Sequence, residues 1–378
     1  MAVPSSGELE LYGDIGTELG VAQSNVTLHG MSQTAGFTPP DAMSEFYGYD
    51  PTPPVPTSFN TVLWTGDGST GRQITGVGFQ PDLVWTKGRN SSDWHHFLQD
   101  SVRGATKFLK SNTTDAEGTT SPNIVQSFDT DGFTVNANGN SNNSGSTYVA
   151  WCFKAGGAAV TNNNGTITSQ VSANVEAGFS IVSYTGTGSA ATVGHGLNAT
   201  PKMIIVKGRT FSDHWVVYSD SIGLNGTLLF NSYNNIVALS NYWGTANPTS
   251  NVFSLSTYAQ NNTSSANFIA YCFAEVAGLS KFGNYSGGTA NNLITLGFEP
   301  AFVMIKSYSG VQENWAIYDN KRSPSNPVND ILVVNESFAE SVNNTNQVLN
   351  FNANGFTLVT TNSLTNLSGT SYLYMAFA

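Results

Sequence analysis

The sequence predicts an all-β protein: three tandem β-sandwich repeats of jelly-roll or lectin-like kind, preceded by a short irregular N-terminal segment. Short β-branched and aromatic runs alternate with Gly, Asn, Asp, Ser and Pro, the pattern of strands between turns. No helical periodicity runs through them. One set of landmarks recurs three times in the same order, which marks an internal repeat.

The landmarks begin with glycine turns at Thr65-Gly66-Asp67-Gly68, Thr185-Gly186-Thr187-Gly188 and Tyr285-Ser286-Gly287-Gly288, where glycine accepts positive φ without steric cost. A proline then opens an apolar strand that carries a lysine six positions later: Pro81 to Lys87, Pro201 to Lys207, Pro300 to Lys306. The prolines are 120 and then 99 residues apart. A proline at the first residue of a strand costs no ladder hydrogen bond, and the lysines are expected at strand ends with their heads in water. Trp94, Trp215 and Trp315 follow, each with an acid soon after, at Asp100, Asp220 and Asp319. Next come Gly132-Phe133, Val252-Phe253 and Gly355-Phe356, and each repeat closes on an aromatic strand: Tyr148-Val149-Ala150-Trp151-Cys152-Phe153, Phe268-Ile269-Ala270-Tyr271-Cys272-Phe273 and Tyr372-Leu373-Tyr374-Met375-Ala376-Phe377. A unit of about 100 residues with this strand spacing suits a two-sheet sandwich. The repeats are placed at 57–157, 158–277 and 278–378.

Residues 1–56 read differently. Segments around Ile15 and Leu19 and around Phe46 and Tyr47 offer at most short helices, too short to fold alone. Asp50-Pro51-Thr52-Pro53-Pro54-Val55-Pro56 forms a stiff extended spacer. The expected arrangement is an attachment arm that folds against a partner, with Ile15, Leu19, Phe46 and Tyr47 as its gripping residues.

Composition narrows the function. Charged residues make up 10% of the 378 and the formal net charge is −11, with 14 Lys and Arg against 25 Asp and Glu. No basic face is left for a phosphate backbone, so a nucleic-acid partner is not expected. No run approaches the ~18 apolar residues of a membrane span, and the N-terminus lacks the basic and apolar regions of a signal peptide. Two cysteines, Cys152 and Cys272, are too few for a disulfide framework and read as small buried thiols.

Catalytic and metal chemistry find little support. Asp129-Thr130-Asp131-Gly132 resembles the start of a calcium loop but lacks the distal ligands and reads as a hairpin turn. The adjacent His95 and His96 point to opposite faces of a strand, and His29, His195 and His214 have no partner at ligand spacing. A glycosidase needs two flanking carboxylates, and spacing singles out none among Asp100, Asp129, Asp131 and Glu299. No catalytic residue, metal or cofactor is therefore assigned. The recognition candidates are Trp94, Trp215 and Trp315, whose rings suit stacking on sugar faces where they are not spent on the cores.

The opening Pro4-Ser5-Ser6-Gly7-Glu8-Leu9, with Ile15-Gly16-Thr17-Glu18-Leu19-Gly20 and Phe46-Tyr47-Gly48-Tyr49, resembles the N-terminal segment of tail-fibre and other virion structural proteins of marine phages, notably cyanophages. Gly78-Phe79-Gln80-Pro81-Asp82-Leu83-Val84-Trp85 and the string from Tyr148 to Gly157 resemble an uncharacterised domain of the same proteins. Together they span nearly the whole chain. The resemblance implies a non-enzymatic protein on the particle exterior, assembled in the host cytoplasm. It is expected to dock on other virion proteins by its arm and to meet host-surface glycans with its sandwiches. A capsid-decoration, head-fibre or neck protein is the alternative, and a polysaccharide depolymerase a further one. Fibres of this kind imply a homotrimer, although three units in one chain could supply threefold symmetry alone.

Overall fold

In the computed structural model the residues described are 58–119, 124–236 and 242–378. The N-terminal arm, with Ile15, Leu19, Phe46 and Tyr47, lies outside them. Residues 56–378 form one compact unit.

Each repeat builds a large antiparallel sheet with one strand order. In the first, the opening strand Phe59–Thr65 pairs with the closing strand Thr147–Phe153; this pairs with the proline strand Leu83–Gly88, which pairs with His96–Asp100 and then Lys107–Lys110. The second runs Phe179–Thr185, Asn267–Phe273, Met203–Gly208, Val216–Ser219, Leu228–Leu229, and the third Ser280–Ser286, Ser371–Phe377, Phe302–Ser309, Ala316–Asp319, Leu332–Val333. The second repeat adds a hairpin, Val160–Asn162 with Ser169–Asn174, beside its opening strand. That insertion accounts for the longer first proline interval. The prolines sit two residues ahead of their strands rather than in them.

A small sheet covers the outer face of each large one. It comprises Arg72–Thr75, Gly132–Val135 and Val125–Asp129 in the first repeat, and Asn292–Thr295, Gly355–Leu358 and Leu349–Asn352 in the third. In the second the described residues form a two-stranded sheet, Ala191–Gly194 with Val252–Leu255. Each sandwich has its own outer core, around Phe133, Phe253 and Phe356 respectively. The tight turn at Asp129 to Gly132 is a hairpin, as its sequence predicts, and the Asp131 carboxylate accepts the backbone N–H of Gly76 and Gly78.

The inner faces of the three large sheets share a fourth core. Trp151, Tyr271 and Met375 meet there with Trp85, Ile205 and Met304, one residue of each set per repeat. At one end of this core Phe153, Phe273 and Phe377 form a ring with centroids 5.4, 5.9 and 6.2 Å apart. Ser58, the first of the described residues, lies at this end, its carbonyl accepting the Lys154 N–H. With both faces of each closing strand covered, Tyr148 to Phe153 are all buried. This is why those strands read as continuous apolar runs rather than alternating ones. Both cysteines are free thiols packed against outer cores, and burial pushes each well above the ordinary thiol range.

Candidate functional site

Away from the phenylalanine ring, the loops leaving each large sheet reach over the neighbouring repeat. Asn112, Asn231 and Asn335 fix the start of these loops, their side-chain oxygens accepting the backbone N–H of His96, Trp215 and Trp315. Two residues further on, a main-chain carbonyl meets a lysine of the next repeat. Lys207 Nζ donates to Thr114 O at 3.2 Å, Lys306 Nζ to Tyr233 O at 2.8 Å and Lys87 Nζ to Ser337 O at 3.2 Å. Two residues back, a ring nitrogen crosses the same boundary: Trp215 Nε1 donates to Lys110 O at 2.8 Å and Trp315 Nε1 to Leu229 O at 3.0 Å. His96 Nε2 lies 2.9 Å from Val333 O. The three repeats are thus joined in a closed ring by one repeated clasp.

The lysines are fully buried, which corrects the solvated strand-end expectation. Each ammonium is satisfied by a second carbonyl, of Gly88, Asp213 or Glu313. Burial lowers Lys87 and Lys207 to about 8 and Lys306 to about 7, because an ammonium leaving water loses hydration that carbonyls replace only in part.

Two of the three boundaries carry the same buried ionic network. Arg103 Nε donates to Asp100 Oδ2 at 2.6 Å and also reaches Glu117, which pairs with Arg209 of the second repeat at 2.8 Å. In the other copy Arg322 Nε donates to Asp319 Oδ2 at 2.6 Å and reaches Glu340, which pairs with Arg89 of the first repeat at 2.6 Å. Burial alone would raise the Glu117 carboxyl, but Arg209 and Arg103 hold it below its usual range. In the second repeat the equivalents of Asp100 and Arg103 are Ser219 and Ile222, with Ile222 packed on the central core. Among the described residues the second-to-third boundary therefore lacks this carboxylate–guanidinium network.

These registers correct several sequence expectations. Lys87 faces His96 as Lys207 and Lys306 are followed across the ladder by Trp215 and Trp315, so His96 and not Trp94 is their counterpart. Likewise Ser219, not Asp220, matches Asp100 and Asp319. Trp215 and Trp315 are 0% exposed and belong to the central core, so neither offers a face to a sugar ring. Trp94 is half-buried, stacked on Tyr148 at 5.4 Å, and its ring lies so close to Gly88 that a Cβ there would overlap it. Of the acids considered for catalysis, Asp100 is committed to Arg103, Asp129 to Ser127 and Thr134, and Glu299 stands exposed. Among the described residues no group of three or more His, Cys, Asp or Glu is placed to hold a metal ion, and no helix is long and apolar enough to cross a membrane.

Residues 56–378 match the family described as a domain of unknown function, DUF7483. The chain belongs to this family. Comparison with curated proteins and with solved structures gives no match.

The clasp loops of this DUF7483 body carry exposed rings that sequence reasoning missed. Tyr233 and Phe338 are 54% and 55% exposed, on the second and third loops. Tyr233 occupies the position of Thr114 and Ser337, judged by the lysine each accepts from. The signal available was its spacing from Asn231, which is readable only once the asparagines are aligned. Around these loops the glycine turns are held by buried asparagines in each repeat: Asn142 Nδ2 donates to Ser69 O, Asn262 Nδ2 to Ser189 O and Asn366 Nδ2 to Thr289 O. The loop end of the DUF7483 body is therefore rigidly built, rich in neutral amides and hydroxyls, and carries exposed aromatic rings.

Proposed function

We propose that this DUF7483 protein is a non-enzymatic phage virion protein, a tail fibre or tail-associated adhesin. Its N-terminal arm docks on the particle and the loop end of its body contacts host-surface glycans. The observation that carries the recognition half is the exposure of Tyr233 and Phe338 on the second and third clasp loops. Aromatic faces with neutral hydrogen-bonding groups suit sugar rings, which present both C–H faces and hydroxyls. Weak sites become effective when a particle displays many of them, since avidity gains of roughly 10²–10⁴ need no new contacts. The virion location rests on the resemblance of the arm and the repeat strings.

The test is binding of purified protein to host cells before and after periodate oxidation of their surface sugars. Loss of binding on oxidation is expected; binding that survives oxidation would overturn the glycan reading. Gold-labelled antibody should mark the tail of intact particles. A label spread over the whole head would favour the decoration-protein alternative, which the shared central core also suits. New reducing ends released from host polysaccharide would establish a depolymerase instead.

A further inference from the structure

The second repeat departs from the other two in its outer sheet. In the first and third repeats a third strand, Val125–Asp129 or Leu349–Asn352, hairpins onto the strand that follows it and contributes Val125, or Leu349 and Phe351, to the outer core. The position of Phe128 and Phe351 is taken in the second repeat by Pro248, counting back from the turn where Thr249 N–H donates to Val252 O. Residues 242–251 form no strand. Tyr242 and Trp243 fill the outer core instead, Trp243 donating from Nε1 to Thr227 Oγ1 at 3.2 Å. Gly244 to Ala246 then border a groove of about 510 Å³.

The lining of this groove is specific in its chemistry. Six serines and threonines line it, Thr166, Thr192, Thr245, Ser254, Ser256 and Thr257, and the rest comes from three alanines, Leu255 and Gly244. The Thr166, Thr192 and Ser256 hydroxyls already accept a backbone N–H, so among the described residues Thr245, Ser254 and Thr257 carry the lining hydroxyls with no such bond. No charged side chain takes part. Thr257 is followed by Tyr258, which is 37% exposed and stacked on Tyr242 at 3.9 Å. Hydroxyls both donate and accept, the alanines offer apolar contact, and an exposed ring stands next along the chain. A saccharide presents the complementary set: hydroxyls at its edge and C–H groups on its face. The volume lies within the roughly 300–1,000 Å³ range of small-molecule sites. A sulfated or carboxylated sugar would bring a charge with no partner in the lining, and desolvating an unpaired charge is costly.

We infer that the groove between Thr166, Thr192, Ser254 and Thr245 is a binding site for an uncharged saccharide, one per chain, found in the second repeat alone. This rests on the glycan-recognition reading and deepens it.

The experiment uses the full chain and saturation-transfer NMR. The probes are methyl glycosides of glucose, galactose, mannose and N-acetylglucosamine, with glucuronic acid as the charged comparison. Ala246→Trp, at an exposed position outside any strand, fills the groove, and Ser254→Ala with Thr192→Val removes hydroxyls; thermal melting checks that each variant folds. Transfer from at least one neutral glycoside, reduced tenfold or more by Ala246→Trp and weakened by the hydroxyl variant, is expected. Glycoside and host-cell binding unchanged in both variants would overturn the groove while leaving the adhesin reading intact. Failure of the unaltered protein to bind host cells in a periodate-sensitive way would overturn the adhesin reading and this inference with it. Glucuronic acid binding as well as the neutral sugars would overturn the ligand class.

Discussion

Tyr271 of the second repeat donates its hydroxyl to Asp100 Oδ2 of the first at 2.7 Å, inside a wholly buried site. Arg103 Nη2 in turn donates to the same hydroxyl at 3.2 Å. One step around the ring Trp151 Nε1 donates to Asp319 Oδ2 at 3.0 Å, and the Arg322 guanidinium lies 5.7 Å from the Trp151 ring. At the third step the residue matching Tyr271 and Trp151 is Met375, and those matching Asp and Arg are Ser219 and Ile222. Carboxylate, guanidinium and donor are replaced together. A buried pair is tolerable complete or absent but costly when half-made.

Removing part of the Asp100 site should therefore destabilise the whole body. Tyr271→Phe is expected to cost about 1.5–3 kcal/mol, the range for hydrogen bonds to charged groups. Arg103→Met should cost more, about 3–5 kcal/mol, because Asp100 stays buried without its cation. Urea midpoints at unchanged m-value measure both. An Arg103→Met protein as stable as the parent would show the pair to be dispensable.

The shared core predicts a single melting event. Trp315, Ile317, Met375 and Phe377 of the third repeat are covered by residues of the other two, so a repeat cut out alone would expose them to water. Calorimetry should give one endotherm for the full chain, and a fragment spanning 278–378 should lack the near-ultraviolet signal of packed aromatics. Three separable transitions would mean that the repeats hold themselves together.

How much of this the sequence discloses depends on the residue. The six-residue interval from proline to lysine survives in all three copies and places Lys87, Lys207 and Lys306 correctly in register. The tryptophans mislead because the loop between the lysine and the next strand changes length and the first repeat puts His96 where the others have Trp. Trp94 lies in that loop, close enough to be mistaken for the counterpart. The central core was legible in principle: a closing strand such as Phe268 to Phe273, apolar at every position, needs cover on both faces. The groove was not legible, since it arises from what residues 242–251 fail to form.

Acid should weaken the body through His195. Its Nδ1 accepts the Leu197 N–H at 3.2 Å and its Nε2 lies 3.1 Å from Thr249 O, an arrangement that suits the neutral ring. Burial lowers it from 6.5 to about 4. The unfolded chain then binds more protons than the folded one between about pH 4 and 6.5, so stability rises with pH through that window and levels off above it. The His195 share is at most about 3.4 kcal/mol at 1.36 kcal/mol per pKa unit. His96, also lowered by burial, acts in the same direction. His195→Gln should flatten, without abolishing, the rise of the urea midpoint between pH 4.5 and 6.5; an unchanged slope would refute the assignment.

The clasp lysines predict a second rise on the alkaline side. Their folded values of about 7 for Lys306 and 8 for Lys87 and Lys207 lie below the ordinary 10.5. Above pH 7 the unfolded chain keeps protons that the folded chain has released, so stability climbs until about pH 9. Beyond that the buried thiols of Cys152 and Cys272 and then the buried tyrosines reverse it. Burial holds Tyr184, Tyr271 and Tyr285 well above 10, so the unfolded chain loses their protons first and stability falls. Lys306→Met removes the lysine that titrates earliest and leaves the Tyr233 and Glu313 carbonyls without their donor. The slope of urea midpoint against pH between 7 and 9 should drop by nearly half, because Lys306, with the lowest value, has released its proton over most of that window while Lys87 and Lys207 release theirs only in its course. An undiminished slope in Lys306→Met would place the alkaline titration elsewhere in the chain.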